Sequence, residues 1–330
     1  MKNKEPLFEL NKGQSMQLRG IAIVIVMLAH MRIVKNGSGG VALFLVLSGY
    51  GITSSYYVKG INRYWKKKIQ NVYFPYLIAV TFQLFANKVT DLLCIGVSLL
   101  GLSFGKNIDG TYWFISYLFF WYFIFFVGAI LNDYFYKSVF SIRPKKKNSD
   151  TVTFDKNYFL LIFIVITAIP ILHCICGKGV WTKGSGAILY IYEFPLGVLL
   201  FLLSNIKIKK ELKESIWISL LFISIVYICQ NYSKINDSNY TTFTMSQAVM
   251  WLSIFQLKEI PNHPLLSFLG NYSYSIYLFE GFFWDRAYQW WDMITIKEIQ
   301  HLVFFAISVL FGYIFQNCIF EKIHKNGGLK

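Results

Sequence analysis

Two ionisable residues, Arg19 and His30, interrupt the apolar run Q-L-R-G-I-A-I-V-I-V-M-L-A-H-M-R near the start of the chain. They stand eleven residues apart. On an α-helix that spacing is close to three full turns, so both side chains share one face, about 16 Å apart along the axis. A histidine takes or gives a proton near neutral pH, and an arginine keeps its charge. An ionised group inside a membrane span costs at least about 2.5–3.5 kcal/mol on insertion scales, so its presence there calls for a reason. Each residue also has a plainer role open to it. Arg19 fits a snorkelling anchor at a membrane face, and His30 fits an interfacial histidine with a satisfied hydrogen bond. Their shared face favours a functional pair.

Two carboxylates also fall in apolar surroundings, Glu193 in Y-I-Y-E-F-P-L-G and Glu280 in S-I-Y-L-F-E-G-F-F. Either one lines a polar cavity or pairs with a cation, or one of them orients His30 and sets its protonation state.

The elements that position these residues are membrane helices. Of 330 residues, 55% are hydrophobic, 19% aromatic and only 15% charged. A soluble domain of this length needs more charge than that to cover its surface. Apolar blocks run over 18–34, 41–58, 72–86, 92–104, 112–131, 158–174, 187–203, 216–229, 241–255, 265–284 and 301–320. Most reach the length of about 17–25 residues that a span requires, and 92–104, with Gly96 and Gly101, does not. The net charge of +15 is gathered in short stretches between blocks. That pattern sets membrane orientation and does not indicate nucleic acid. Lys59 to Lys68, the R-P-K-K-K of 143–147, 207–213 and the C-terminal lysines are all expected on the cytoplasmic side. An even number of crossings must separate the first two of these stretches, so the short block is expected to be re-entrant or interfacial. The expectation is an all-α integral membrane protein with about ten transmembrane helices plus that one short helix. It forms a single domain over 1–330, with both termini cytoplasmic and a cytoplasmic basic loop at 132–157. No cleavable signal peptide is evident. The C-x-C spacing of Cys174 and Cys176 lacks a second ligand pair, so no metal is expected. Gly39, Gly40, Ser48 and Gly49 are expected to let the second helix pack closely on the first and hold His30 in place.

Four stretches together resemble a known family. Leu18-Arg19-Gly20-Ile21-Ala22 followed by His30 matches an Arg-x10-His pattern, and G-V-A-L-F-L-V-L-S-G from Gly40 to Gly49 matches a phenylalanine-rich second-helix motif. Y-W-F-I from Tyr112 to Ile115 matches a Trp-Phe segment, and L-G-N-Y-S-Y-S-I-Y-L from Leu269 to Leu278 matches a late-helix motif. In this order they resemble the membrane acyltransferase 3 family, which includes bacterial polysaccharide O-acetyltransferases. The chain departs from the family pattern at Ala42, where Asp or Ser is frequent. It departs again at Lys68 and Asn71, where an Arg-x-x-Arg pattern is frequent, and at Glu280, where a His is usual.

The resemblance implies acyl transfer, commonly of acetyl from acetyl-CoA to a sugar hydroxyl. It implies a multi-pass protein of the bacterial plasma membrane with no bound cofactor. A sugar hydroxyl needs a base to take its proton as it attacks, and His30 is suited to that. His30 is equally suited to accepting the acetyl group itself. Arg19, Arg63, Lys67 and Lys68 would draw in the anionic coenzyme, or the lysines serve only as topology signals. Glu280, Glu193, Ser48 and Trp113 are candidates for supporting roles, Trp113 either as an interfacial anchor or as a sugar-stacking surface. The acceptor is expected to be a cell-surface, capsular or exopolysaccharide glycan, or a lipid-linked one, and membrane lipids are the other partner. A transporter or flippase for a lipid-linked sugar is the competing reading. Paired broken helices or internal symmetry would favour it, and the sequence shows neither.

Overall fold

The computed structural model describes residues 4–102, 108–140, 160–176, 190–236, 239–258, 260–290 and 296–320. Helices account for nearly all of them. Among the described residues five helical stretches are long and apolar enough to cross a membrane: Ser38–Lys59, Tyr64–Ala86, Gly110–Phe135, Lys210–Asn231 and Lys297–Cys318. Leu161–Ile171 and Glu193–Leu203 are apolar but shorter. The protein is therefore an all-α, multi-pass membrane protein, apart from one short pair of strands.

The helices are α1 (Lys12–His30), α2 (Ser38–Lys59), α3 (Tyr64–Lys68), α4 (Phe74–Ala86), α5 (Leu92–Leu99) and α6 (Trp113–Phe140). They continue with α7 (Leu160–Cys176), α8 (Glu193–Leu203), α9 (Lys210–Asn231), α10 (Tyr240–Leu257), α11 (Pro264–Trp290) and α12 (Lys297–Phe315). Two boundaries differ from the sequence expectation. A π-helical turn over Ile69–Tyr73 joins α3 to α4, so Lys66, Lys67 and Lys68 sit on a helix instead of in a loop. Lysine is a good helix former, so a basic run fixes the side of the membrane without ending a helix. Helix α6 runs on to Phe140, through the first third of the expected 132–157 loop, and the rest of that loop lies outside the described residues. So do the 177–184 loop and the start of the 187–203 block. The short block forms the eight-residue α5, capped by the Asp91 side chain on Leu93 N at 2.9 Å. Eight residues rise about 12 Å, too short to cross the hydrocarbon.

The chain divides into two compact units. One comprises residues 1–11, 42–62 and 117–259. Within it, β1 (Lys4–Pro6) pairs antiparallel with β2 (Lys207–Lys209). The Trp217 indole donates to Leu7 O at 2.8 Å, which ties the N-terminal segment to α9. Helices α2 and α8 approach closely, since a Cβ at Gly49 would overlap Phe194 O and one at Gly197 would overlap Val46 O. This corrects one sequence expectation: Gly49 packs on α8, whereas Gly40, against Ala22 O, lets α2 approach α1. Small residues reveal that a close approach occurs, but they do not name the partner.

The other unit comprises residues 12–41, 63–116 and 260–330. Its centre is the pairing of α1 with α11. A Cβ at Gly20 would run into Leu266 O, and one at Gly270 into Met16 O, so the two backbones touch without side chains between them. The backbone N–H of His263, just before α11, donates to Gln17 Oε1 at 3.2 Å. Neither α1 nor α11 is among the five apolar candidate spans. Each carries one half of the His30–Glu280 pair.

Candidate active site

Helix α1 does what its sequence demands. Its run of Ile, Val, Leu and Ala is unbroken by Pro, and both Arg19 and His30 lie within it. Leu18, Ala22, Ile23 and Met27 are fully buried, whereas Arg19 is exposed. His30 is the last residue of the helix, with one third of its side chain exposed.

The partner of His30 comes from 250 residues further along the chain. His30 Nδ1 lies 2.6 Å from Glu280 Oε2, and the Glu280 side chain is fully buried. The length is that of a charge-assisted hydrogen bond. An ionised carboxylate has no proton to give, so with Glu280 ionised the bond requires Nδ1 to donate. Neutral His30 then carries its lone pair on Nε2. A histidine so oriented is built to accept a proton from a bound hydroxyl.

The same unit also holds a group of cations, about three helical turns from His30 along α1. Arg19 and Lys68 are close enough for their charges to repel, and the Lys68 ammonium stands 5.8 Å from the centroid of the Tyr64 ring. Two cations held within electrostatic reach of each other form a place where an anion is favoured. Lys67 is half-buried on α3, and Arg63 is exposed at its N-cap in a left-handed conformation, φ 56°. Asn71 lies on the π-helical turn, with its side chain exposed. Trp113, also in this unit, begins α6 half-buried, its ring edge-on to Phe114 at 6.2 Å.

Glu193 and Ser48 belong to the other unit. Glu193 is fully buried, its Oε1 accepts from Thr244 Oγ1 at 2.6 Å, and Oε2 meets no donor among the described residues. Ser48 is half-buried on α2. Of the two carboxylates in apolar blocks, Glu280 is therefore the one that meets His30. Sequence reasoning passed over Asp109 and Thr111 and read Tyr112 only as the start of a motif, yet all three meet α11 beside Glu280. The signal available was an Asp-Gly-Thr sequence just before a long aromatic span, which marks a capped turn. No group of His, Cys, Asp and Glu suited to a metal ion occurs among the described residues.

A multi-pass helical protein that holds a His–Glu pair, with cations in the same unit, is a membrane protein equipped for proton transfer. The chain matches the acyltransferase domain family over residues 16–316 and belongs to the acyltransferase 3 family. It is accordingly an acyltransferase, acting between an acyl donor and an acceptor. Comparison with curated proteins and with solved structures returned no match.

Proposed function

We propose that this protein moves an acetyl group from acetyl-CoA to a hydroxyl of a cell-surface, capsular or exopolysaccharide glycan. The observation that carries this reading is the 2.6 Å contact between His30 Nδ1 and the buried Glu280. The acceptor hydroxyl gives its proton to Nε2 as its oxygen attacks the thioester carbonyl. A C–O ester bond forms and the C–S bond breaks. The imidazolium, stabilised by Glu280, then returns the proton to the leaving thiolate of coenzyme A. Arg19, with Lys68, Lys67 and Arg63, holds the phosphates of the donor. Trp113 offers an aromatic face to the acceptor.

About ten spans with both termini cytoplasmic suit this assignment. Arg19 then faces the compartment that holds acetyl-CoA. His30, about three turns away, stands towards the side where an exported glycan waits. The basic stretches 59–68, 143–147 and 207–213 support that orientation through the positive-inside rule.

Two measurements test the proposal. Mass spectrometry of surface polysaccharide from cells with and without the protein should show acetyl groups only in its presence. Unchanged acetylation in cells lacking the protein would remove the glycan as acceptor. In proteoliposomes, Arg19→Ala should raise the KM for acetyl-CoA by about tenfold, the equivalent of one charge-assisted contact of about 1.4 kcal/mol. The increase should diminish at high salt, where the wild type also loses electrostatic attraction. An unchanged KM with a lower kcat would take Arg19 away from the donor phosphates.

A further inference from the structure

Beside the His30–Glu280 pair lies a second buried carboxylate that the proposed chemistry does not use. Asp109 is 4% exposed. Its Oδ1 accepts from Thr111 N at 2.8 Å and from Thr111 Oγ1 at 2.7 Å, capping the 3-10 turn Gly110–Tyr112. Its Oδ2 is buried and meets no hydrogen-bond donor among the described residues. A carboxylate oxygen left without a donor away from water is costly, so something must make the position worthwhile.

The reason lies in helix α11. A Cβ placed on Gly281 would stand 2.6 Å from Asp109 Oδ2, 2.9 Å from Oδ1 and 3.0 Å from Thr111 Oγ1. The backbone of α11 thus rests directly on the Asp109 carboxylate, and only glycine permits it. The same turn grips the preceding residues of the helix. Tyr277 Oη donates to Thr111 O at 2.5 Å, and Tyr112 Oη donates to Leu278 O at 2.7 Å. Gln83 Nε2 donates to Tyr112 Oη at 2.5 Å and to Leu278 O at 3.3 Å. Glu280 sits between the gripped positions 277–278 and the seated position 281. Successive helical residues point about 100° apart, so fixing α11 at these places fixes the direction in which Glu280 projects.

We propose that Asp109 is a positioning residue for the His30–Glu280 pair. Its carboxylate is the stop against which Gly281 seats, and this seating aims Glu280 at His30 Nδ1. Asp109 touches neither donor nor acceptor. The kinetic part of this assignment rests on the acyl-transfer reading, while the geometric part does not.

The test uses the full-length protein in nanodiscs. The chain has five histidines, so the ¹⁵N-histidine spectrum can be assigned by its loss of signals in His30→Gln. The wild type should show a downfield Nδ1 proton for His30, the mark of a short bond to a carboxylate. Asp109→Asn keeps an N-cap acceptor for the turn but puts an amide against Gly281, because asparagine caps as well as aspartate. Gly281→Ala keeps Asp109 and blocks the seat. Both variants should lose the downfield signal. In both, kcat should fall by about 10–100-fold with the KM for acetyl-CoA unchanged, as a misplacement near 1 Å would produce. In a Glu280→Gln background Asp109→Asn should cause no further loss, since residues acting through one bond are not additive. A downfield signal that survives both variants overturns the proposal, as does a loss that multiplies in the Glu280→Gln background. An Asp109→Asn protein that no longer elutes as a folded species would assign Asp109 to folding and overturn it as well. If wild-type protein transfers no acetyl group while the His30 signal still disappears in both variants, the acyl-transfer reading fails and the positioning assignment stands.

Discussion

His30→Ala is expected to lower acetyl transfer by roughly 10²–10⁴-fold, the range a positioned general base supplies. The side chain is one-third exposed at the end of α1, so the protein should still reach the membrane at wild-type levels. Glu280→Gln tests the other half of the pair. Glutamine has the same shape and can still accept from Nδ1, but it cannot stabilise the imidazolium that forms when the hydroxyl gives up its proton. A loss on the order of 10²-fold is expected, mostly in kcat, by the logic that makes an orienting carboxylate matter to a catalytic histidine. The double variant should be no worse than His30→Ala alone, because an orienting group has nothing to act on once the histidine is gone. Rates measured at saturating acetyl-CoA, with membrane protein quantified in parallel, decide the matter. A double variant whose losses multiply would mean that Glu280 works independently of His30, and wild-type turnover in His30→Ala would end the assignment.

The second large effect concerns the contact that brings the pair together. Gly270→Ala should destabilise the protein by about 1–3 kcal/mol, the usual cost of overpacking, and Gly270→Val should cost more. The new Cβ would meet Met16 O, a backbone atom that no side-chain rotation can move aside. Helix α11 must therefore shift from α1, and the His30–Glu280 contact at 2.6 Å has no slack to follow it. Activity should thus fall further than stability alone predicts. The control is Gly96→Ala on α5, where an added Cβ meets nothing within 4 Å. There alanine should be neutral or stabilising by up to about 1 kcal/mol, through helix propensity alone. Thermal unfolding in detergent, followed by size-exclusion fluorescence, compares the two. Equal melting behaviour for Gly270→Ala and Gly96→Ala would contradict the close approach of the two helices.

These expectations separate two kinds of information. The sequence by itself determined what depends on distance along one helix. The rise per residue is constant, so the spacing of Arg19 and His30 placed them on one face about three turns apart. Block length and composition likewise marked an all-α membrane protein, and the ordered motifs marked its family. The same arithmetic recognised 92–104 as too short to cross, and α5 is indeed brief.

Only the tertiary structure decided which helices meet, and with which faces. Glu193 and Glu280 are equivalent as sequence signals, each a carboxylate in an apolar run. Glu280 reaches His30 because Gly20 and Gly270 let α1 and α11 touch backbone to backbone, while Glu193 bonds Thr244 in the other unit. Gly49 advertises close packing as clearly as Gly40 does, yet its neighbour is α8. Asp109 sits in an ordinary-looking turn, and its importance exists only because Gly281 rests on it, 172 positions later in the chain. The physical reason is common to all three. Helical periodicity fixes the angles of side chains around one axis, but the pairing of axes is settled by short-range packing between residues far apart in sequence, and periodicity carries no record of that.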